Sequence, residues 1–338
     1  MPTKTASEPK ASLARGQVTG QVTGQLATKK PSIFIDGEAG TTGLEIRRLV
    51  EGAASLEVKS VAPAERKDPQ ARLAVMGEVD LVVLCLPDAA AKQAVALIES
   101  LGERAPKIVD GSTAHRVADG WVYGFPELDK DQTTAVRQAR RVTNPGCYPT
   151  GAIALVRPLV EADLIPTDYP LSVNAVSGYS GGGRSMIEAY EAGDAPAFEL
   201  YGLGLEHKHV PELQHYAKLT RRPLFVPSVG TFRQGMLVSV PLHLDTLPGK
   251  PTADDLEAVL IRSYAGAKGV TVVPAGDPTS QGGRLEPEGL NGTNALELRV
   301  FANAKHGQAV LVARLDNLGK GAAGQALQNI GLMLGVPV

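Results

Sequence analysis

From residue 32 onward the chain alternates short apolar runs with stretches of helical period. Ile33-Phe34-Ile35 is a brief apolar run, and Leu44, Ile46, Leu49 and Val50 follow it at helical spacing. Residues 56–61 read as a second strand and 79–86 as a continuous apolar strand; 89–101 read as a helix and 107–110 as another short strand. Near-continuous apolar strands joined by helical crossovers predict an α/β unit whose mostly parallel sheet is covered on both faces. Past residue 147 the pattern changes. Residues 171–178 alternate, and further strands are expected at 224–229, 236–244, 270–273, 295–301 and 308–315, with a helix over 254–264. That half predicts a mixed sheet in an α+β unit. A last helix is expected from 317 to about 334.

The turns between these elements carry the chemistry. The first strand runs into Asp36-Gly37-Glu38-Ala39-Gly40-Thr41-Thr42-Gly43, a GxxGxxG variant of the dinucleotide fingerprint. Its glycines allow a tight turn and let a pyrophosphate pass close over a helix N-terminus. Thr41 and Thr42 open that helix. A fold that binds NAD carries an acid near the end of its second strand for the ribose hydroxyls. Here the chain reads Ser60-Val61-Ala62-Pro63-Ala64-Glu65-Arg66-Lys67, with no acid at the strand end and two adjacent cations after it. That arrangement suits the 2′-phosphate of NADP(H), held by Arg66 and Lys67 beside Ser60. Ligands of such sheets bind at the carboxyl ends of strands, which places Gly37–Gly43, Pro87, Ser112 and Cys147 along one edge.

Cys147 stands in Asn144-Pro145-Gly146-Cys147-Tyr148-Pro149-Thr150-Gly151, where a strand-like run (141–143) stops and an apolar run (152–160) begins. A helix N-terminus presents unpaired N–H groups and the positive end of a dipole, which favours a thiolate. A lowered thiol pKa is therefore expected, as a nucleophilic cysteine requires. Cys85 lies in a strand and reads as core. Downstream, Ser177 ends a strand that runs into Tyr179-Ser180-Gly181-Gly182-Gly183-Arg184, and Arg184 suits a phosphate or carboxylate. His207 and His209, in His207-Lys208-His209-Val210-Pro211-Glu212, are the candidate acid–base groups, and in an extended segment both would face the same way. Near the C-terminus, Asn317 and the glycines around Gly321 would let the backbone approach a nicotinamide.

Composition narrows the class further. A chain of 338 residues defaults to two domains. A net charge of −2 gives no electrostatic reason to expect nucleic acid or an anionic membrane surface. Two cysteines argue against a disulfide framework and suit a reducing compartment. No apolar run approaches the roughly 18 residues that span a bilayer, and no metal site is expected. A cytoplasmic protein is the expectation. Residues 1–30 are rich in Thr, Gln, Gly, Ser and Lys, repeat Gln-Val-Thr-Gly in tandem, and read as a flexible tail. Scarce acids also fit a targeting peptide, but Arg15 is the segment's only arginine, so a tail is the better reading.

Eight motifs together resemble the N-acetyl-gamma-glutamyl-phosphate reductase family, in its shorter form: FIDGEAGTTGLEI, VAPAERKD, LCLPDAAA, DGSTAHR, NPGCYPTG, SGYSGGGR, EHKHVPEL and DNLGKGAAGQALQN. They span residues 34–329; the tail has no counterpart among them. The resemblance implies NADPH-dependent reduction of a small acyl phosphate, N-acetylglutamyl 5-phosphate, to its semialdehyde in arginine biosynthesis. It implies a Rossmann-type domain (31–146) completed by the C-terminal segment (317–338), an inserted catalytic domain (147–316), and a homo-oligomer, dimer or tetramer. It also implies that Cys147 forms a thioester, that His207 (first of the HxHxPE pair) is the acid–base group with His209 as fallback, and that Arg116 holds the substrate phosphate. Ser112, Ser177 and Arg184 are further substrate candidates. Other readings are a cysteine hydrolase or acyltransferase, a dinucleotide-binding sensor, an aspartate-semialdehyde dehydrogenase, and a lysine-biosynthesis reductase acting on a carrier-bound substrate.

Overall fold

The computed structural model describes residues 29–338; all but the last two residues of the expected tail lie outside the described residues. The first half builds strands β1 (Ser32–Asp36), β2 (Glu57–Lys59), β3 (Leu81–Leu84), β4 (Lys107–Asp110), β5 (Val122–Tyr123) and β6 (Arg141–Thr143). Between them run helices α1 (Thr41–Gly52), α2 (Pro69–Met76), α3 (Asp88–Glu99) and α4 (Gln132–Gln138). The strands form one parallel sheet in the order β2-β1-β3-β4-β6-β5. The chain reverses direction across the sheet after β2, so β1 and β3 flank the switch point where such sheets bind ligands. Ile33, Ile35, Val83 and Val109 bury one face of the sheet, and Phe34, Val82, Leu84 and Ile108 bury the other. That two-sided burial is why these strands are continuously apolar.

The second half follows on helix α5 (Cys147–Glu161) with strands β7 (Ser172–Gly178), β8 (Phe198–Leu200), β9 (Leu224–Gly230), β10 (Met236–His243), β11 (Val270–Val272), β12 (Leu296–Asn303) and β13 (Gln308–Leu315). Helices α6 (Arg184–Ala192), α7 (Val210–Tyr216) and α8 (Ala253–Ser263) lie among them. The strands make a mixed sheet, β11-β12-β13-β10-β7-β9-β8. Helix α5 lies against this sheet at close range: a Cβ added to Gly151 would stand 3.0 Å from Val238 and 3.1 Å from Ala313. The helix is buried along nearly its whole length, which explains a sequence with almost no polar face.

A π-turn (Gly319–Ala323) then leads into α9 (Gly324–Leu334), which returns to the first sheet. There Ala323, Ala326, Ile330 and Met333 join the core built by Ile33, Ile46 and Val50. The expected strands and the 254–264 helix recur within one or two residues of their observed ends, except the second and third strands, which are shorter. Helices α2, α4 and α6 and strands β5 and β8 had no counterpart in the periodicity. Two of them are only two or three residues long, and α6 buries no residue fully, so neither kind leaves a clear apolar stripe.

Candidate active site

Strand ends and the starts of α1 and α5 meet at a cleft of about 440 Å³. Its lining runs from Thr41 and Thr42 through Gly111 to Cys147, then to His207, His209, Asn317 and Gly321.

At the glycine turn, Gly37 has φ +89°, a region that L side chains rarely occupy, and a Cβ there would collide with the Cys85 carbonyl. A Cβ on Gly43 would lie 2.5 Å from the Gly37 carbonyl oxygen. The turn closes only on glycine. Helix α1 then begins at Thr41 with Gly40 at its N-cap, no side-chain cap and no acid in its first turn. Its leading N–H groups are left for an anion. Pro87 is exposed at the start of α3, on the same sheet edge.

At the other end, β6 stops at Thr143 and Cys147 is the first residue of α5, with Gly146 at the N-cap. The strand-to-helix placement read from the sequence holds. The expected low thiol pKa does not: burial pushes Cys147 up to about 11, against the lowering pull of Arg116 and of the Tyr148 and Cys147 N–H groups. Desolvation of a thiolate outweighs one guanidinium and a helix start. Cys85 is pushed up to about 12 by burial and by Asp110 and Asp36, consistent with an inert structural cysteine.

The two histidines separate. His209 is buried, and its Nε2 would stand 2.8 Å from a Cβ on Gly146, the residue before the cysteine. Its Nδ1 is buried with no partner. His207 instead packs its ring among Tyr148, Tyr201 and Phe225, and its Nδ1 accepts the His209 backbone N–H at 3.1 Å. Both line the cleft; His209 abuts the cysteine turn, and His207 stands on the approach to α7. Burial lowers both pKa values, His207 to about 4 and His209 well below 6.5, with Arg116 and Lys208 adding to each. Both rings are neutral near pH 7.

Arg116 lines the cleft. It is buried, Nη1 would be 2.5 Å from a Cβ on Gly146, and Nη2 donates to the Gly111 carbonyl at 3.1 Å. Its Nη1 also donates to Glu212 Oε2 at 2.7 Å. Glu212 has no role in the sequence reading, yet it organises this end. Only 1% exposed, it also accepts Tyr123 Oη at 2.7 Å and the Gly146 N–H at 2.8 Å. One carboxylate thus ties the arginine, the cysteine turn and the first sheet together. Its signal in the sequence was an acid in the first turn of a proline-started helix, three residues after His209.

Other expected residues are placed differently. Ser112 Oγ donates to Asp110 at 2.7 Å and Ser112 N to Asp110 at 3.0 Å, so Ser112 closes its own turn rather than facing the cleft. Ser177 lines the cleft, with Oγ donating to the Gly178 carbonyl at 3.0 Å. Asn317 lines it too, but its amide is engaged by Gly235 N–H (2.8 Å) and Ser180 Oγ (2.9 Å). Gly321 sits where a Cβ would be 2.8 Å from Cys147 Cβ. Arg184 is not beside the cysteine: it donates to the Ala39 carbonyl at 2.8 Å, over the glycine turn. Helix α6 starts at Arg184.

Beside the glycine turn a smaller cavity of about 390 Å³ is lined by Glu38, Arg47, Ser60, Arg66 and Arg184. Lys67 is exposed and outside that lining, which Arg66 shares with Arg47. Arg47 lies on α1, too far from Arg66 in sequence for spacing to join them.

Family models match both halves of the chain: "Semialdehyde dehydrogenase, NAD binding domain" over residues 54–136 and "Semialdehyde dehydrogenase, dimerisation domain" over 147–317. The N-acetyl-gamma-glutamyl-phosphate reductase 2 of Pseudomonas putida is 52% identical over 90% of this chain and 97% of its own. That of Brucella ovis is 53% identical over 90% of this chain and 99% of its own. The chain belongs to the N-acetyl-gamma-glutamyl-phosphate reductase family. Among solved structures, aspartate semialdehyde dehydrogenase II of Vibrio cholerae aligns with a TM-score of 0.66 at 16% identity, covering 91% of this chain and 99% of its own. An aspartate semialdehyde dehydrogenase of Candida albicans, solved with NADP, aligns at 0.60 and 14%, covering 90% and 98%. These likenesses show the fold. No helix of the described residues is long and apolar enough to cross a membrane.

Proposed function

We propose that this reductase converts N-acetyl-L-glutamyl 5-phosphate to N-acetyl-L-glutamate 5-semialdehyde and phosphate with NADPH, a step of arginine biosynthesis. The observation that carries the reading is one cleft joining the glycine turn to Cys147, His209 and Arg116, in a chain of this family. The residues fit a dinucleotide, since a turn that closes only on Gly37 and Gly43 leads into the uncapped start of α1, whose Thr41 and Thr42 line the cleft. Residues 40–43 would hold the pyrophosphate, Arg66 and Arg47 the 2′-phosphate, and Gly321 would leave room for the nicotinamide beside Cys147. When bound, NADPH supplies the hydride.

The chain's own groups do the rest. Cys147 sulfur bonds to the acyl carbon as the carbon–oxygen bond to phosphate breaks and its electron pair leaves with phosphate. The thiol proton passes to neutral His209 and on to the departing phosphate. A neutral thiol beside a neutral imidazole makes this transfer part of the attack, not a step before it. Arg116, fixed by Glu212, holds the phosphate's charge as it leaves. Reduction of the thioester carbon gives a thiohemiacetal alkoxide; its collapse breaks the carbon–sulfur bond and releases aldehyde. The freed thiolate takes one proton from solvent, which balances the reaction.

In this reading residues 31–146 with 317–338 form the dinucleotide unit and 147–316 the catalytic and oligomerisation unit. The packing of α9 on the first core and the dimerisation-domain match support that division. A homo-oligomer, dimer or tetramer, and a cytoplasmic location accompany it. The test is the reverse assay: N-acetylglutamate semialdehyde, phosphate and NADP⁺ should yield NADPH absorbance. Turnover with aspartate semialdehyde instead would reassign the substrate, and turnover with neither would end the reading.

A further inference from the structure

An acid missing from one position in the chain is supplied in space from another. In a dinucleotide fold the acid for a free ribose 2′-hydroxyl stands at the end of the second strand. Here that place, just past β2, is held by Ser60. Glu38 reaches it from the glycine turn. Its carboxylate lies 3.2 Å from Ser60 Oγ, accepts Arg66 Nη2 at 2.8 Å, and accepts Arg47 Nη1 at 2.5 Å. Glu38 is itself buried, with its side chain 10% exposed, while a cavity opens on the cluster. Two guanidiniums and a hydroxyl form the donor set that a phosphate monoester takes. A carboxylate now fills it.

We propose that Glu38 is a tethered stand-in for the 2′-phosphate and sets the cofactor preference of this pocket. A 2′-phosphate can take Arg47 and Arg66 only as Glu38 leaves them, because a carboxylate and a phosphate dianion on the same cations repel. A 2′-hydroxyl, in contrast, donates to Glu38 where it stands. One residue therefore opposes NADP(H) and supports NAD(H). Arg47 does not lose its orientation when Glu38 moves, since its Nε also pairs with Glu51 at 2.9 Å. Arg184, on the far wall, supplies a third cation to the same space. The inference rests on the reading above that this cavity receives the adenosine ribose.

The test is equilibrium binding by calorimetry on the full chain, with NADP⁺, NAD⁺ and 2′,5′-ADP as probes. Glu38→Gln keeps the shape and one acceptor oxygen but removes the charge. It should tighten NADP⁺ and 2′,5′-ADP by about three- to tenfold and weaken NAD⁺ by a similar factor, the size of one charge-assisted contact. NADP⁺ binding that is unchanged or weaker overturns the proposal. A crystal structure of the unaltered protein with 2′,5′-ADP gives a check that needs no variant. The Glu38–Arg66 contact should be open; a retained contact overturns the proposal. The double variant Arg47→Met/Arg66→Met separates the two levels of argument. Loss of NADP⁺ binding in it, without tightening in Glu38→Gln, removes only the role of Glu38. No loss in it removes the 2′-phosphate reading of the cavity, and Glu38 with it.

Discussion

Two carboxylate–arginine pairs sit at opposite ends of the binding region, and their depth separates them. Arg116–Glu212 lies at the cysteine, with side chains 7% and 1% exposed. Arg66–Glu38 lies at the glycine turn, with side chains 44% and 10% exposed. Glu212 also holds Tyr123 and the Gly146 N–H, so every charge on it is met from within the protein. Removing one partner of such a buried pair leaves the other uncompensated, which is strongly destabilising. The outer pair has water beside one member, and an exposed pair contributes little and exchanges readily. The same chemistry is locked in place at one end and open to exchange with solvent at the other.

The buried end should therefore fail outright when its reacting atom is changed. Cys147→Ser should lower kcat by roughly 10³-fold or more, since a hydroxyl at that position is neither acidic nor nucleophilic enough to displace phosphate. NADP⁺ binding should stay within about twofold, because the sulfur serves the acyl carbon and not the dinucleotide. Steady-state rates and a binding titration decide it. More than about a tenth of the original kcat would end the thioester route.

A smaller effect tests which histidine belongs to that end. His209→Asn should lower kcat by roughly 10²- to 10⁴-fold, and His207→Asn by clearly less. The neutral imidazole is the active form, and the His209 pKa lies well below 6.5 because burial and the nearby cations disfavour its charge. Protonation therefore sets in only at acid pH. The kcat/KM profile should stay level as pH falls through 6.5 and drop further down. A larger loss in His207→Asn would exchange the two assignments, whereas an acid limb centred at or above 6.5 would belong to neither ring, since burial also lowers His207, to about 4.

That exchange shows where the sequence stopped being readable. The parallel sheet, the mixed sheet, the glycine turn and the cysteine at a helix start were all legible, because each is written in contiguous residues with a period or a turn chemistry. Which histidine abuts the cysteine turn was not. Both would point to one side of an extended segment, but the segment turns into α7 at Val210, and that turn sends His209 against Gly146 while His207 packs edge-on among Tyr148, Tyr201 and Phe225. The thiol pKa was misjudged for a related reason. A helix start is visible in sequence, whereas the burial that opposes it draws on a distant segment, the Gly319–Ala323 turn, whose Gly321 lies against Cys147. Arg47 and Glu38 escaped notice because their partners are distant in the chain: Glu38 meets Arg66 from 28 residues away.

The smallest effect lies at the outer end, where the adjacent cations Arg66 and Lys67 looked equivalent in sequence. Arg66 follows a short 3₁₀ turn, Pro63–Glu65, and its guanidinium reaches back to Glu38 at 2.8 Å, on the wall of the cavity. Lys67 is the next residue in that turn, exposed and outside the lining. A planar guanidinium can offer two parallel N–H groups to a phosphate, which an ammonium cannot. Arg66→Ala should weaken NADP⁺ about tenfold, the value of a charge-assisted contact, with NAD⁺ nearly unchanged. Lys67→Ala should shift NADP⁺ by less than about twofold, and high salt should erase even that, because a solvated charge acts only through a screened field. Calorimetric titrations of both variants at two salt concentrations distinguish the cations. Equal losses would restore Lys67 to the phosphate site and would mean that the loop after β2 closes further when the cofactor binds.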